Sequence, residues 1–344
     1  MKFSISNDLL VKGLKFTLRE KRLPSYSEIL KAFNIKREKM PLPVFIQLEP
    51  TTKCNLSCIM CTRHTLNPKR LNKDLTLENF KKIVKQIPTL KKIKLQGMGE
   101  PFLNPELHNI LEFGHKHGIK FTTITNGTVL DRNIELIKYF DEIAVSLDTT
   151  NKEQYKNIRK GGELEKVLSN IKKAILFKKE NNLNTKIRIN AVITHLNVDE
   201  IPKLIQLAIK LGLDSVGFVE VENWKTPVEN DYEKELEFVL KARERSKEIK
   251  SLIEFYRKNF TNIQIRFLPS DKRKKACFWP FYSCFITVDG FVTPCCIRMN
   301  PDVINFGNVF EKNFKEIWNS DKYKKFRKTI ICNLPNPICD NCPN

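Results

Sequence analysis

The chain of 344 residues carries 60 Lys and Arg against 39 Asp and Glu, a formal net charge of +21, and is 41% hydrophobic. That length supports a substantial core, and no stretch of about 18 apolar residues occurs, which excludes a predicted membrane span. The charge invites a nucleic-acid partner, yet the lysines are scattered through helix-like stretches (KKIVK, IKKAILFKKE, DKYKKFRK) among apolar positions, the pattern of solvated helix faces.

In chain order, residues 1–43 read as a helical extension, LLVKGLKFTLRE then SYSEILKAFNI, ending at Pro41 and Pro43. The opening MKFSISNDLLVKGLKFTLREKRLP has neither the apolar run nor the small-residue cleavage site of a signal peptide, so a cytoplasmic protein is expected. From Val44 strands and helices alternate. VFIQLEPT, KIKLQGMG, KFTTITNG, EIAVSLDT, KIRINAVIT and SVGFVEVE read as six strands, with helical spacing after each. This predicts an α/β fold, a partial (β/α)6 TIM-like barrel over 44–222, with its chemistry at the C-terminal strand ends. A long charged helix from about Tyr232 to Lys258 and the connecting strand NIQIRFLP occupy 223–269. Residues 270–344 read as a small second module. SCFITVDGFVTPCC is a hairpin with a two-residue turn at Asp289–Gly290, followed by a short helix around FKEIWNSDKYKKF. At that size, ligated metal can replace a missing core.

In a cytoplasmic setting the ten cysteines stay reduced. Three stand at Cys54, Cys58 and Cys61, and none follows until Cys277; Cys284, Cys295, Cys296, Cys332, Cys339 and Cys342 complete the set. Two metal-binding regions flanking a cysteine-free body is the simplest account. A structural zinc site takes four ligands. Three thiolates instead suit three irons of a cubane [4Fe–4S] cluster, leaving the fourth iron open. A zinc site completed by a remote ligand such as His64, or three unlinked thiols, are the alternatives at this stage.

A C-x3-C-x2-C run after the first strand of a β/α partial barrel resembles the signature of radical S-adenosylmethionine (SAM) enzymes, and the likeness runs from about residue 44 to 222. QGMGEPFLNP (96–105) resembles the family's Gly-Gly-Glu motif, which implies that Gly97, Gly99 and Glu100 hold the SAM amino group. Thr125 and Asn126 of ITNG, Ser146 and Asp148 of VSLD, Arg159 of NIRKGG and Asn190 of INAV fall where the family places ribose and carboxylate contacts. The position before the third cysteine, usually aromatic and near the adenine, is Met60 here, whose flexible thioether can pack against a purine. The resemblance implies that SAM chelates the open iron. One electron, from a donor such as ferredoxin or flavodoxin, then yields a 5′-deoxyadenosyl radical that abstracts hydrogen from an organic substrate.

The second cysteine field, CFWPFYSCFITVDGFVTPCC with CDNC, resembles the SPASM module of peptide- and cofactor-modifying radical SAM enzymes. It implies that Cys277, Cys295, Cys339 and Cys342 hold one auxiliary [4Fe–4S] cluster, zinc being the alternative for the same four. The module's C-x2-C-x5-C-x3-C block is not found, so Cys284, Cys296 and Cys332 stay unassigned, and Cys296 can replace Cys295. Glu220 and Glu222, on one face at the end of the sixth strand, are the candidate catalytic acids. Peptide or protein side chains, sugars and cofactor precursors are the substrates considered. An RNA-modifying enzyme and a non-catalytic iron–sulfur or zinc regulatory protein are the competing readings.

Overall fold

The computed structural model describes residues 40–225, 229, 232–268, 277–332, 334–339 and 342. The helices expected within 1–39 lie outside the described residues.

Apolar side chains at alternate strand positions dictate one central sheet. Its strands, in chain order, are β1 (Phe45–Leu48), β3 (Lys92–Leu95), β4 (Lys120–Thr125), β5 (Phe140–Ser146), β7 (Lys186–Ile193), β8 (Ser215–Glu220), β9 (Gln264–Leu268), β10 (Phe285–Ile286) and β11 (Val292–Thr293). A two-stranded ribbon is formed by β2 (Ser57–Cys58) and β6 (Arg159–Lys160). The main sheet runs β11-β10-β1-β3-β4-β5-β7-β8-β9, and every pair from β10 to β9 is parallel. NIQIRFLP therefore does more than connect: it joins the sheet as β9, a seventh strand of the barrel-like array. Ile46, Leu48, Ile93, Leu95, Phe121, Ile143, Val145, Ile187 and Ile189 are buried in the layer shared with the helices.

That helical layer contains α1 (Leu77–Gln86), α2 (Leu107–Lys116), α3 (Lys152–Ile158), α4 (Leu164–Glu180) and α5 (Ile201–Lys210). Thr76 caps α1 by accepting from Asn79 N at 3.2 Å, and Asn151 caps α3 by accepting from Gln154 N at 2.9 Å, each satisfying an otherwise orphaned donor. Two predicted helices differ. RNIELIKYF forms 3-10 turns over Leu130–Tyr139 with Asn133 non-helical. The Asn133 amide donates to Val129 O at 3.0 Å and competes with the backbone ladder. The long charged helix is two, α6 (Tyr232–Glu244) and α7 (Ser246–Asn259), parted at Arg245. Arg245 bonds Glu248 and Asp199, while Ser246 Oγ donates to Glu220 Oε1 at 2.9 Å.

The C-terminal hairpin is fused to the sheet. Gln47 N donates to Cys284 O at 3.0 Å and Glu49 N to Ile286 O at 2.9 Å. Its turn is longer than the predicted two residues: Ile286 pairs with Val292, Thr287 N bonds Phe291 O, and Gly290 adopts φ +91°. That is a three-residue loop with a left-handed last position. Nor is the module coreless. Phe306, Phe314, Trp318, Tyr323 and Phe326, partly from α8 (Phe314–Trp318) and α9 (Asp321–Ile331), belong to the same apolar cluster as the barrel helices. The buried Arg327 guanidinium lies over the rings of Tyr323 (3.8 Å) and Trp318 (4.1 Å) and donates to Pro280 O and Trp318 O. Among the described residues, no helix is long and apolar enough to cross a membrane.

Candidate functional site

The first cysteine loop leaves the C-terminal end of β1. Thr52 Oγ1 donates to Arg70 O at 2.8 Å, Thr51 Oγ1 to Asp74 Oδ1 at 2.7 Å, and Arg63 Nε to Thr52 O at 2.7 Å. The ribbon pairs Cys58 with Arg159. Arg159 aims Nη1 at Cys58 Sγ, 3.8 Å away, and is held by a 2.7 Å bond from Nε to Asp148 Oδ2. Asp148, fully buried, also accepts from Val192 N at 2.8 Å. The thiols of Cys54, Cys58 and Cys61 lie within electrostatic reach of one another. Burial pushes all three up, Cys58 to about 11, against the pull of Arg159. Ligation to metal would deprotonate them. His64 is exposed, with Nε2 3.3 Å from Cys58 O. Among the described residues no three His, Cys, Asp or Glu side chains form a site for a single metal ion; in a cubane each thiolate has its own iron.

The loop after β3 is built for close approach. A Cβ on Gly99 would stand 2.4 Å from Thr51 O and 2.5 Å from Lys53 O, both backbone atoms, so only glycine lets this loop lie against the cysteine loop. Gly97 is excluded from carrying a side chain by Glu49, whose Cγ would be 2.3 Å away. Glu100 is buried and ties this loop to β4: Thr125 Oγ1 and Asn126 N each donate to its carboxylate at 2.6 Å. Burial raises its pKa to about 7 despite those donors. Asn126 Nδ2 donates to Asn55 Oδ1 at 2.9 Å, closing the ring back to the cysteine loop. Ser146 and Asn190 are paired neighbours on β5 and β7. Met60, like Val192 and Phe238, packs against the cluster of Val221, Val239 and Ala242. It borders a cavity of 320 Å³, together with Cys61, Thr62, Glu222, Lys225 and Phe238.

The two predicted acids part company. Glu222 faces this cavity and lies 3.5 Å from Arg243. Glu220 shares the parity of Val216 and Phe218, which are core residues, and so turns into the helical layer to meet Ser246. The strand ends at Glu220, so the alternation that would place both acids on one face does not continue.

In the second field Cys296 lies within electrostatic reach of Cys277 and Cys342, and Cys295 within reach of Cys296 and Cys342. Cys339 is one turn before Cys342, whose N–H donates to Cys339 O at 2.8 Å. Arg298 fastens the group, donating to Ile338 O and Trp224 O at 2.7 Å each. Five thiols therefore gather as a soft donor set suited to iron–sulfur chemistry. Cys284 is apart from them, fully buried in the apolar core.

Three further residues carry the site and were not legible as such. Glu49 accepts from Met98 N at 2.9 Å and from Val288 N at 3.2 Å, bridging the glycine loop to the C-terminal hairpin. Arg70 and Asp289 form a bidentate pair, both bonds 2.8 Å, across the same joint.

The sequence pattern of the radical SAM superfamily matches residues 48–208, and that of an iron–sulfur cluster-binding domain, SPASM, matches 277–343. A "Probable GTP 3',8-cyclase" from Methanococcus maripaludis strain C5 is 30% identical over 278 residues, spanning 75% of this chain and 87% of that one. The chain belongs to the radical SAM superfamily. This radical SAM enzyme accordingly uses a SAM-binding [4Fe–4S] cluster and an auxiliary iron–sulfur cluster in its SPASM domain. It is also 26% identical to the "AdoMet-dependent heme synthase" of Methanosarcina barkeri, covering 87% of this chain and 91% of that one. Its fold is that of Streptococcus suis SuiB in complex with the precursor peptide SuiA (TM-score 0.68, 17% identity, 94% of this chain and 80% of that chain).

Proposed function

We propose that Cys54, Cys58 and Cys61 hold the SAM cluster, and that Met60, Gly97, Gly99, Glu100, Thr125, Asn126, Ser146, Asp148, Arg159 and Asn190 surround SAM. The observation that carries this reading is the convergence at one place of the three thiols, the Asp148–Arg159 pair and the glycine cradle. With cluster and SAM bound, the cofactors supply a 5′-deoxyadenosyl radical that abstracts hydrogen from an organic substrate. The chain's own work is positional. Arg159, fixed by Asp148, places a positive charge beside Cys58. Glu100 locks the glycine loop to the end of β4, and the bare backbone at Gly97 and Gly99 lets that loop lie close against Glu49 and the cysteine loop. Glu222 lies in the adjoining cavity, where a substrate proton can be held or moved.

The functional division follows the sequence reading: 44–222 as the SAM core, 223–269 as its closing helices and strand, and 270–344 as the auxiliary module. Cys277, Cys295, Cys339 and Cys342 ligate the auxiliary cluster, with Cys296 as the neighbour able to replace Cys295. That cluster accepts an electron from the substrate radical or anchors the substrate. A ferredoxin or flavodoxin supplies the first electron, in the cytoplasm. Relatives named for GTP and for haem favour a cofactor precursor as substrate. The likeness to SuiB with its precursor peptide supports a peptide as the second reading.

The test is anaerobic reconstitution followed by reduction with dithionite in the presence of SAM. Formation of 5′-deoxyadenosine is expected, and its abolition in Cys58→Ala. A Cys58→Ala protein that cleaves SAM normally would overturn the assignment of the first cluster.

A further inference from the structure

The interior of a closed β/α barrel is normally filled by layers of branched apolar side chains. This sheet departs from that rule at its N-terminal end. In KIKL, KFTTIT and KIRINAVI the apolar members turn out to the helices, and the alternate members turned the other way are Lys92, Lys94, Lys120, Thr122, Lys186 and Arg188. With Glu142 from β5 and Arg266 from β9 they line a cavity of 930 Å³, at the opposite end of the strands from the first cysteine loop. That volume lies at the upper end of the range for small-molecule sites.

The charges in this lumen do not cancel. Glu142 is shared by Arg188 and Arg266, each at 2.8 Å. Asp141 is 4.0 Å from Lys120. Lys92, Lys94 and Lys186 have no carboxylate within ion-pair distance among the described residues. Lys94 is the most enclosed of them and lies within electrostatic reach of Glu142 and of Cys296 in the second cysteine field. Glu142, the carboxylate within reach of Lys94, is already shared by two guanidiniums, so the lining as a whole keeps an excess of positive charge. Space is also kept clear: a Cβ on Gly217 would stand 2.9 Å from Arg188 Nη1 and 3.2 Å from Asn190 Oδ1. Gly217 thus lets the guanidinium lie inside the lumen, where Nη1 bonds Asn190 Oδ1 at 2.8 Å.

We propose that this lumen seats the polyanionic end of a small-molecule substrate, a group carrying two or more negative charges on phosphate or clustered carboxylate oxygens. The proposal rests on the radical SAM reading of the barrel, and it names the substrate class. A ligand held there by its charged end extends along the barrel axis towards the cysteine loop, leaving its uncharged end to meet the chemistry.

The experiment is calorimetric titration of the reconstituted holoprotein at about 0.15 M salt, where surface charge is largely screened, with inorganic tripolyphosphate and separately with citrate. One site per chain is expected, weakened at least tenfold by Lys94→Met and by Lys186→Met. A control variant, Lys172→Met with Lys173→Met on the exposed face of α4, removes the same kind of charge and should bind as the parent does. Tighter binding of tripolyphosphate points to a phosphate ester, and tighter citrate to a polycarboxylate. Equal weakening in the control, or no saturable binding of either anion, overturns the proposal. Cys58→Ala should bind the anion unchanged, so failure of the radical assignment and failure of this site are read separately.

Discussion

The joint between the barrel and the C-terminal hairpin makes the strongest energetic claim. Arg70 is 6% exposed and places two N–H groups on the Asp289 carboxylate at 2.8 Å each, with its guanidinium 5.6 Å from the Phe291 ring. Arg70→Met keeps most of the stem and removes the charge. Breaking one side of a buried pair costs roughly 3–5 kcal/mol. Here the Asp289 side chain is 20% exposed and also accepts from Thr287 Oγ1 at 2.7 Å, so the lower end, about 3 kcal/mol, applies. An exposed pair such as Lys241–Glu237 should cost far less, because solvent screens it. Anaerobic urea denaturation of the holoprotein, in a double-mutant cycle with Asp289→Asn, measures the difference. A coupling energy above about 1.5 kcal/mol is expected, since contacting charges in one network are non-additive. Additivity within about 0.5 kcal/mol would refute the idea that this pair fastens the hairpin to the cysteine loop.

Three other perturbations separate structure from ligation. Cys284→Ala should leave iron content and the reduced-state electron paramagnetic resonance spectrum unchanged while lowering the unfolding midpoint, because Cys284 is a core residue apart from the other thiols; a loss of about four irons would show it to be a ligand. Gly99→Ala drives a Cβ against Thr51 O and Lys53 O, so SAM affinity should fall at least tenfold by equilibrium dialysis, with the parent's affinity retained if the cradle is unimportant. For Glu100 the folded pKa is raised from 4.5 to about 7. The protonated carboxyl is therefore favoured in the folded state, and the associated stability, present in full below pH 4.5, is lost as pH rises to about 7. The span is worth about 3 kcal/mol, and Glu100→Ala should flatten the unfolding free energy over that window.

What the sequence revealed and what it hid divide along the range of the interactions. Cys54, Cys58 and Cys61 announce themselves because ligand spacing is a local property, and period-two alternation in KIRINAVI is enough to declare a strand. Glu49 could not be recognised, because its partners Met98 and Val288 belong to a loop and a hairpin that only the fold assembles. Arg70 and Asp289 are 219 positions apart. The break at Arg245 interrupts a strongly helical stretch and is set by contacts to Asp199 and Glu220 from distant elements. Glu220 misled for the opposite reason: its parity with Phe218 was readable, but the end of the strand before Glu222 was not.

The placement of β10 against β1 bears on how the two cysteine fields act together. Domains joined by a flexible linker are expected to move relative to each other unless their interface is large and apolar. Here the first cysteine loop continues β1 and the C-terminal hairpin pairs beside that strand, through ladder bonds from Gln47 N and Glu49 N, and the Glu49 carboxylate at its end grips both the glycine loop and the hairpin. The aromatic cluster around Trp318 continues the barrel core. The separation of the two clusters is then set by backbone geometry, and substrate must adapt to a fixed span. A charged lumen at the far end of the same strands would supply that adaptation, by holding one end of the ligand while the other reaches the cysteine loop.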